Sequence, residues 1–143
     1  MTPASTPLIA GCTAQKTSNP IVDSHGGKNP TLEPLAEAFD ASNGYVYVAN
    51  YLANDVGVID GALQKVVATI AVGAYPDGIA VDSSNGYVYV ANDNLSSNGP
   101  ANVTVIDGAT DRVVGSVTVG TCPGGVAVDP SNGYIYVANW CSN

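Results

Sequence analysis

The sequence predicts an all-β chain of short antiparallel strands, and three observations carry that prediction. One segment of eleven residues recurs almost letter for letter at three places. Val, Ile, Tyr and Thr gather in short runs punctuated by Gly, Pro, Asn and Asp, as strands and their turns require. No stretch of useful length carries the 3.6-residue period of an amphipathic helix.

The recurring segment is Asp40-Ala-Ser-Asn-Gly-Tyr-Val-Tyr-Val-Ala-Asn50, Asp82-Ser-Ser-Asn-Gly-Tyr-Val-Tyr-Val-Ala-Asn92 and Asp129-Pro-Ser-Asn-Gly-Tyr-Ile-Tyr-Val-Ala-Asn139. Its flanks recur too: Val56-Gly-Val-Ile-Asp-Gly-Ala62 matches Val103-Thr-Val-Ile-Asp-Gly-Ala109, and Val66-Val-Ala-Thr-Ile-Ala-Val-Gly73 matches Val113-Val-Gly-Ser-Val-Thr-Val-Gly120. Pro34, Pro76 and Pro123 hold one repeat position. The period is 42 residues from Asp40 to Asp82 and 47 from Asp82 to Asp129, with the five extra residues between Asp93 and Ala101. A period of this length marks a repeat architecture.

Each full repeat resolves into four strands, which in the second lie near residues 78–81, 87–91, 103–106 and 112–119. Between the first two strands, Pro130-Ser-Asn-Gly133 suits a tight hairpin. Pro favours the first corner of a type I turn, Gly133 accepts the left-handed conformation, and Asp129 can take a backbone hydrogen bond from the turn. Along the second strand Tyr45 and Tyr47 share one face and Val46 and Val48 the other. Neither face is charged, so both are expected to be covered. Four-stranded antiparallel sheets stacked radially by their faces make a β-propeller. A flat solenoid of hairpins is the alternative, although shorter periods are usual there.

The fold class expected is therefore all-β, with about two and a half four-stranded propeller blades forming a partial or fragmentary propeller. Residues 1–33 read as a flexible Thr/Ser/Pro-rich segment, and the repeats divide as 34–75, 76–122 and a partial 123–143. A ring left open would expose strand edges and a sheet face. A piece of a longer propeller, a truncated product and a self-associating subunit are the expectations that follow.

Tyr47-Val-Ala-Asn50, Tyr89-Val-Ala-Asn92 and Tyr136-Val-Ala-Asn139 resemble the signature of the YVTN-repeat β-propellers, in which Thr commonly stands where this chain has Ala49, Ala91 and Ala138. The Val-Ile-Asp triplets (Val58 to Asp60, Val105 to Asp107) and the Val-Gly-x-x-Pro stretches (Val72 to Pro76, Val119 to Pro123) are similar to that family's repeat. The resemblance covers roughly residues 34 to 143. It implies a propeller of the kind found in surface-layer proteins and in secreted or periplasmic propellers, which usually close with about seven blades.

Composition narrows the partners. Charged residues are only 11% of the chain, and 12 acidic against 4 basic residues leave a net charge of −8. Such a surface repels phosphate backbones, so no nucleic-acid partner is expected. No apolar run is long enough to cross a bilayer, so no membrane insertion is expected. The first 34 residues lack the cationic and apolar parts of a complete secretory signal. Ile9-Ala-Gly-Cys12 reads like a lipid-attachment box without the leader that should precede it; a flexible tail is the alternative.

The cysteines give a local expectation. With Asp129 opposite Tyr134, the same register continued to the strand ends sets Cys122 against Cys141 on one rim. A cross-hairpin disulfide is sterically reasonable there, two unrelated thiols being the alternative. The bond would indicate an oxidising compartment, hence an extracellular, periplasmic or surface location. Cys12 would stay unpaired. No metal site is expected, since neither Cys122 nor Cys141 has a His or a third thiol nearby in the repeat.

Other candidates are fewer. Tyr51 and Trp140 occupy matching positions after the second strands and could contact a ligand such as sugar or peptide, though Asp93 replaces them in the middle repeat. Glu37 stands where the other repeats have Ile79 and Val126, and is expected either to line the central channel and contact a ligand or metal or to sit on an exposed edge. The sequons Asn94-Leu-Ser96 and Asn102-Val-Thr104 flank the insertion and suggest a surface location. The insertion itself lengthens a loop on the rim of the cysteines. His25, in Asp23-Ser-His-Gly-Gly27, has triad residue types without a relay geometry. The recurring Asp40, Asp82, Asp129, Asp60 and Asp107 are turn residues first. No catalytic residue and no cofactor are expected. The function expected is a non-catalytic extracytoplasmic module that binds a protein or cell-envelope component. A fragment of a secreted propeller hydrolase, lactonase-like, is the alternative.

Overall fold

The Asp-x-Ser-Asn-Gly segments set the hairpins. In the computed structural model, which describes residues 33–94 and 101–142, Asp40 Oδ1 accepts hydrogen bonds from the Ser42 N–H at 2.9 Å and the Ser42 hydroxyl at 2.7 Å. Gly44, at φ 79°, donates its N–H to the Asp40 carbonyl at 2.8 Å. Only glycine enters that left-handed region without steric penalty. Asn43 Oδ1 then accepts from the Tyr45 N–H at 2.8 Å and starts the return strand. The same bonds recur around Asp82 and Asp129. The recurring carboxylates therefore organise turns.

Ten strands follow among the described residues. The first sheet holds β1 (Pro34–Asp40), β2 (Tyr45–Asn50), β3 (Asp55–Asp60) and β4 (Lys65–Ala71). The second holds β5 (Pro76–Asp82), β6 (Tyr87–Asn92), β7 (Asn102–Asp107) and β8 (Arg112–Thr118), and the third β9 (Pro123–Asp129) and β10 (Tyr134–Asn139). Each sheet is an antiparallel meander in chain order. β5 packs beside β1 on one side and β9 on the other. Gly78 of β5 lies so close to the Gly124 carbonyl that a Cβ there would collide with it. This is a partial β-propeller, two blades and half of a third, with the first strand of each blade innermost. The expected segment 1–33, including Cys12 and His25, lies outside the described residues except for Glu33.

The core forms where the first two blades meet. Tyr47, Ala49, Val56, Val58 and Ile70 of the first blade pack against Ile79, Val88, Val90 and Ile106 of the second. Each fully buried Val or Ile contributes about 1.5–3 kcal/mol. The Tyr47 hydroxyl crosses the boundary and donates to the Gly108 carbonyl at 3.4 Å, in the β7–β8 turn.

A second contact ties each blade to the next. Asn92, the last residue of β6, is fully buried and donates to Asn102 Oδ1 at 2.7 Å and Thr104 Oγ1 at 2.8 Å. Its side chain lies against Gly73, where an added Cβ would fall 2.6 Å from the Asn92 Cγ. Gly120 faces Asn139 in the same way, at 2.9 Å. The Val-Gly of one repeat is thus shaped by the Asn of the next.

Both faces of β2 are covered, with Tyr47 and Val48 buried, while the outer sheet faces are open, as an unclosed ring implies, with Phe39 at 62%, Tyr134 at 64% and Tyr136 at 54% exposure. Two expectations are corrected. The hairpin register is not constant: Leu35, Asp77 and Gly124 each form a bulge that shifts the pairing by one residue. The sequon at Asn102 does not mark a surface loop, since Asn102 lies in β7 and Thr104 is buried.

Gly73→Ala should therefore overpack the blade boundary and lower unfolding free energy by about 1–3 kcal/mol in urea titration. Val114→Ala, on the exposed side of β8, should stay within about 0.5 kcal/mol of the parent.

Candidate functional site

The rim where first strands begin and second strands end gathers the side chains that the repeat does not use for packing. Each blade supplies three positions to it. Glu33, Tyr75 and Cys122 precede the prolines, with φ of 42°, 55° and 53°. Tyr51, Asp93 and Trp140 follow the second strands, and each donates its N–H to the first set: Tyr51 to the Glu33 carbonyl at 3.0 Å, Asp93 to Tyr75 at 2.9 Å, Trp140 to Cys122 at 3.1 Å. The bulge residues Leu35, Asp77 and Gly124 are the third position. Left-handed φ is uncommon for non-glycine residues, and the ordinary preference before proline is for extended backbone. The threefold recurrence makes it part of the scaffold.

At the boundary of the first two blades these positions converge. Tyr75 donates its N–H to Asn54 Oδ1 at 2.8 Å, which fixes it against the preceding blade. The rings of Tyr51 and Tyr75 then meet with centroids 5.2 Å apart and planes at 47°, within the range of favourable aromatic pairs. Asp93 is 7% exposed, and its Oδ1 is buried with no hydrogen-bond partner. Burial, and then the nearby Asp77 charge, push the Asp93 carboxyl up. Burial also raises the Asp77 carboxyl. The Tyr51 hydroxyl is raised by burial first and then by Asp93 and Asp77.

Toward the third blade, Gly124 leaves room between a carboxylate and an indole. A Cβ at Gly124 would lie 3.4 Å from Asp77 Oδ2 and 3.6 Å from Trp140 Cδ1. Trp140, 71% exposed, is held beside the Cys122–Cys141 disulfide. That bond has a Cα–Cα distance of 5.2 Å. Because of the bulge at Gly124, the Cys122 carbonyl bonds Trp140, and the cysteines meet diagonally rather than directly opposite.

Of the residues singled out from sequence, Tyr51 and Trp140 stand on this rim. Glu37 is on the exposed face of β1 with Leu35 and Phe39, opposite Val48. Tyr75, Asp77 and Asp93 were missed as a group. The signal available was the replacement of aromatic by acid at Asp93 beside a second acid, Asp77, at a bulge position. Residues 95–100, within the stretch between Asp93 and Ala101 that carries the five-residue insertion, lie outside the described residues.

On the opposite rim a cleft of about 470 Å³ opens between hairpin turns, lined by Asp40, Asn43, Tyr45, Ser84 and Gly86. The Ser84 hydroxyl is already bonded to Asp82, and Asn43 to Tyr45 and Tyr47. Its polar groups serve the turns. Among the described residues no group of three or more His, Cys, Asp or Glu is placed to hold a metal ion.

Comparison with solved structures bears on the fold. The chain is similar to Kuenenia stuttgartiensis hydrazine synthase at 24% identity and TM-score 0.69, over 78% of this chain and 30% of that one. It is also similar to a functionally unknown protein from Desulfotomaculum acetoxidans DSM 771 at 16% identity and TM-score 0.64, over 74% of this chain and 33% of that one. The chain thus spans about a third of the length of each. No protein-family model matches the chain, and no curated protein does.

Two outcomes are expected. The disulfide closes a loop with a sequence separation of 19, so its reduction should cost about 3 kcal/mol of stability, read from urea titrations with and without reductant. Because burial raises the Asp77 and Asp93 carboxyls, the folded state holds more protons than the unfolded chain between about pH 4 and the raised folded values. Their contribution is favourable below that pH and is lost as pH rises through the folded values. An Asp77→Asn, Asp93→Asn double variant should therefore gain in thermal midpoint over the parent at pH 7 relative to pH 4.

Proposed function

We propose that this chain is a non-catalytic recognition or scaffolding module of the YVTN-repeat type, part of a larger propeller, working outside the cytoplasm. The observation that carries the reading is the rim itself: Tyr51, Tyr75 and Trp140 are presented together with Asp77 and Asp93 on backbone that the repeat and a disulfide hold rigid. Aromatic side chains on a pre-organised surface are the usual anchors of recognition. The disulfide supports an oxidising compartment. The repeated Tyr-Val-Ala-Asn and Val-Gly-x-x-Pro segments support the family reading, since both serve the blade contacts seen here. The partner is a protein or a cell-envelope component, and the open faces carrying Phe39, Tyr134 and Tyr136 are the surfaces for further blades or for self-association.

The test is cosedimentation of the oxidised chain with cell-envelope fractions from its source. Tyr51→Ala and Trp140→Ala are each expected to weaken retention roughly tenfold or more, while Val114→Ala leaves it unchanged. Retention that ignores both rim substitutions would overturn the reading.

A further inference from the structure

We infer that the rim where the first two blades meet, on the side facing the third, takes an organic cation, the ammonium or guanidinium end of a lysine- or arginine-type group, seated between Asp77 and Asp93 and flanked by Tyr51, Tyr75 and Trp140. The inference rests on the rim being the recognition surface and adds the chemical class of what it recognises.

Asp93 supplies the first argument. Its backbone N–H is used by the Tyr75 carbonyl, which pins the residue inward, yet its buried Oδ1 receives no donor. A buried carboxylate oxygen without a donor is unfavourable and is ordinarily paired. The neighbouring group is Asp77, a second carboxylate, rather than a base. The charged and titratable groups acting on Tyr51 beside the pair are Asp93, Asp77, Tyr75 and Glu33, none of them cationic. Lys65 and Arg112, the two basic residues among the described ones, begin β4 and β8 on the opposite rim. Nothing in the described fold neutralises the pair.

The surroundings select the kind of cation. A Ca²⁺ ion calls for six to eight oxygen ligands, whereas this rim offers two carboxylates among three aromatic rings. Ring faces attract ammonium and guanidinium groups and pack against their alkyl stems. Gly124 keeps the passage between Asp77 and Trp140 free of a side chain. Tyr51, Tyr75 and Asp77 are half-buried, so the group is open to solvent on one side.

Trp140 is the one tryptophan of the chain and reports directly on the site. The oxidised full chain is titrated, with Trp140 emission and amide NMR shifts as readouts. The probes are an acetylated Gly-Lys-Gly-Arg-Gly amide, its neutral norleucine/glutamine counterpart, n-butylammonium and CaCl2. The expected result is saturable binding of the basic peptide, at least tenfold weaker for the neutral one. Asp77→Asn with Asp93→Asn should remove that preference, whereas Asp60→Asn on the opposite rim should not. Weak binding of n-butylammonium at the same amides would mark a free small cation as sufficient; binding confined to the peptide would mark a chain-borne side chain, and both agree with the inference. Equal binding of neutral and basic peptides that still depends on Tyr51 would overturn the cation and leave the rim reading standing. Basic-peptide binding that survives the double substitution, Ca²⁺ binding tighter than the peptide, or no response at the rim from any probe would also overturn it. The envelope cosedimentation judges the rim independently.

Discussion

The asparagine that ends each second strand, fully buried in the first two blades and half-buried in the third, is the contact on which the blade arrangement depends. In the second blade Asn92 holds β7 through Asn102 and Thr104 and fills the space left by Gly73 of the blade before. One side chain thus joins the sheet internally and to its neighbour. In the first blade Asn50 makes the corresponding bond to Asp55 Oδ1 at 2.7 Å. Asn139 faces Gly120, and its Oδ1 is buried with no partner. A buried amide is favourable only when its partners are in place, and at Asn92 the lock is completed by strands from two repeats.

The hairpin turns show how a neighbouring blade changes a local network. Asn85 and Asn132 donate to Asp82 Oδ2 and Asp129 Oδ2, at 2.7 and 2.9 Å. In the first blade the equivalent Asn43 donates to the Tyr47 hydroxyl at 3.3 Å, and Asp40 Oδ2 is left buried without a partner. The difference follows from the β7–β8 turn, whose Gly108 covers Tyr47; a Cβ at Gly108 would fall 2.7 Å from that hydroxyl. Burial raises the Tyr47 hydroxyl, and the Asn43 hydrogen bond opposes that shift. Identical turn sequences therefore carry different bonds according to what packs on them.

The rim follows a different logic from the core. Core positions repeat because each blade must fit the next, and the contacts among Tyr47, Val58, Val88 and Ile106 leave little freedom. Rim positions share only a backbone, so Glu33, Tyr75 and Cys122 can stand at one place and Tyr51, Asp93 and Trp140 at another. Recognition can vary there without disturbing the sheets. The disulfide replaces a side-chain pair at this rim, next to Trp140 in the chain.

The sequence alone determined the hairpins, the strand faces and the blade count, because these are local or periodic. Asp, Ser, Asn and Gly at fixed offsets dictate the turn, and alternation dictates the faces. It also pointed to Cys122 and Cys141 as partners, with two separate thiols as the alternative, because two strands joined by a short turn have almost one register. Tertiary structure alone decided the bulges, the left-handed backbone before each proline and the meeting of Tyr51 with Tyr75, Asp77 and Asp93. These residues are brought together by the close approach of neighbouring blades at Gly73, Gly78 and Gly124, and no spacing within one repeat encodes that approach.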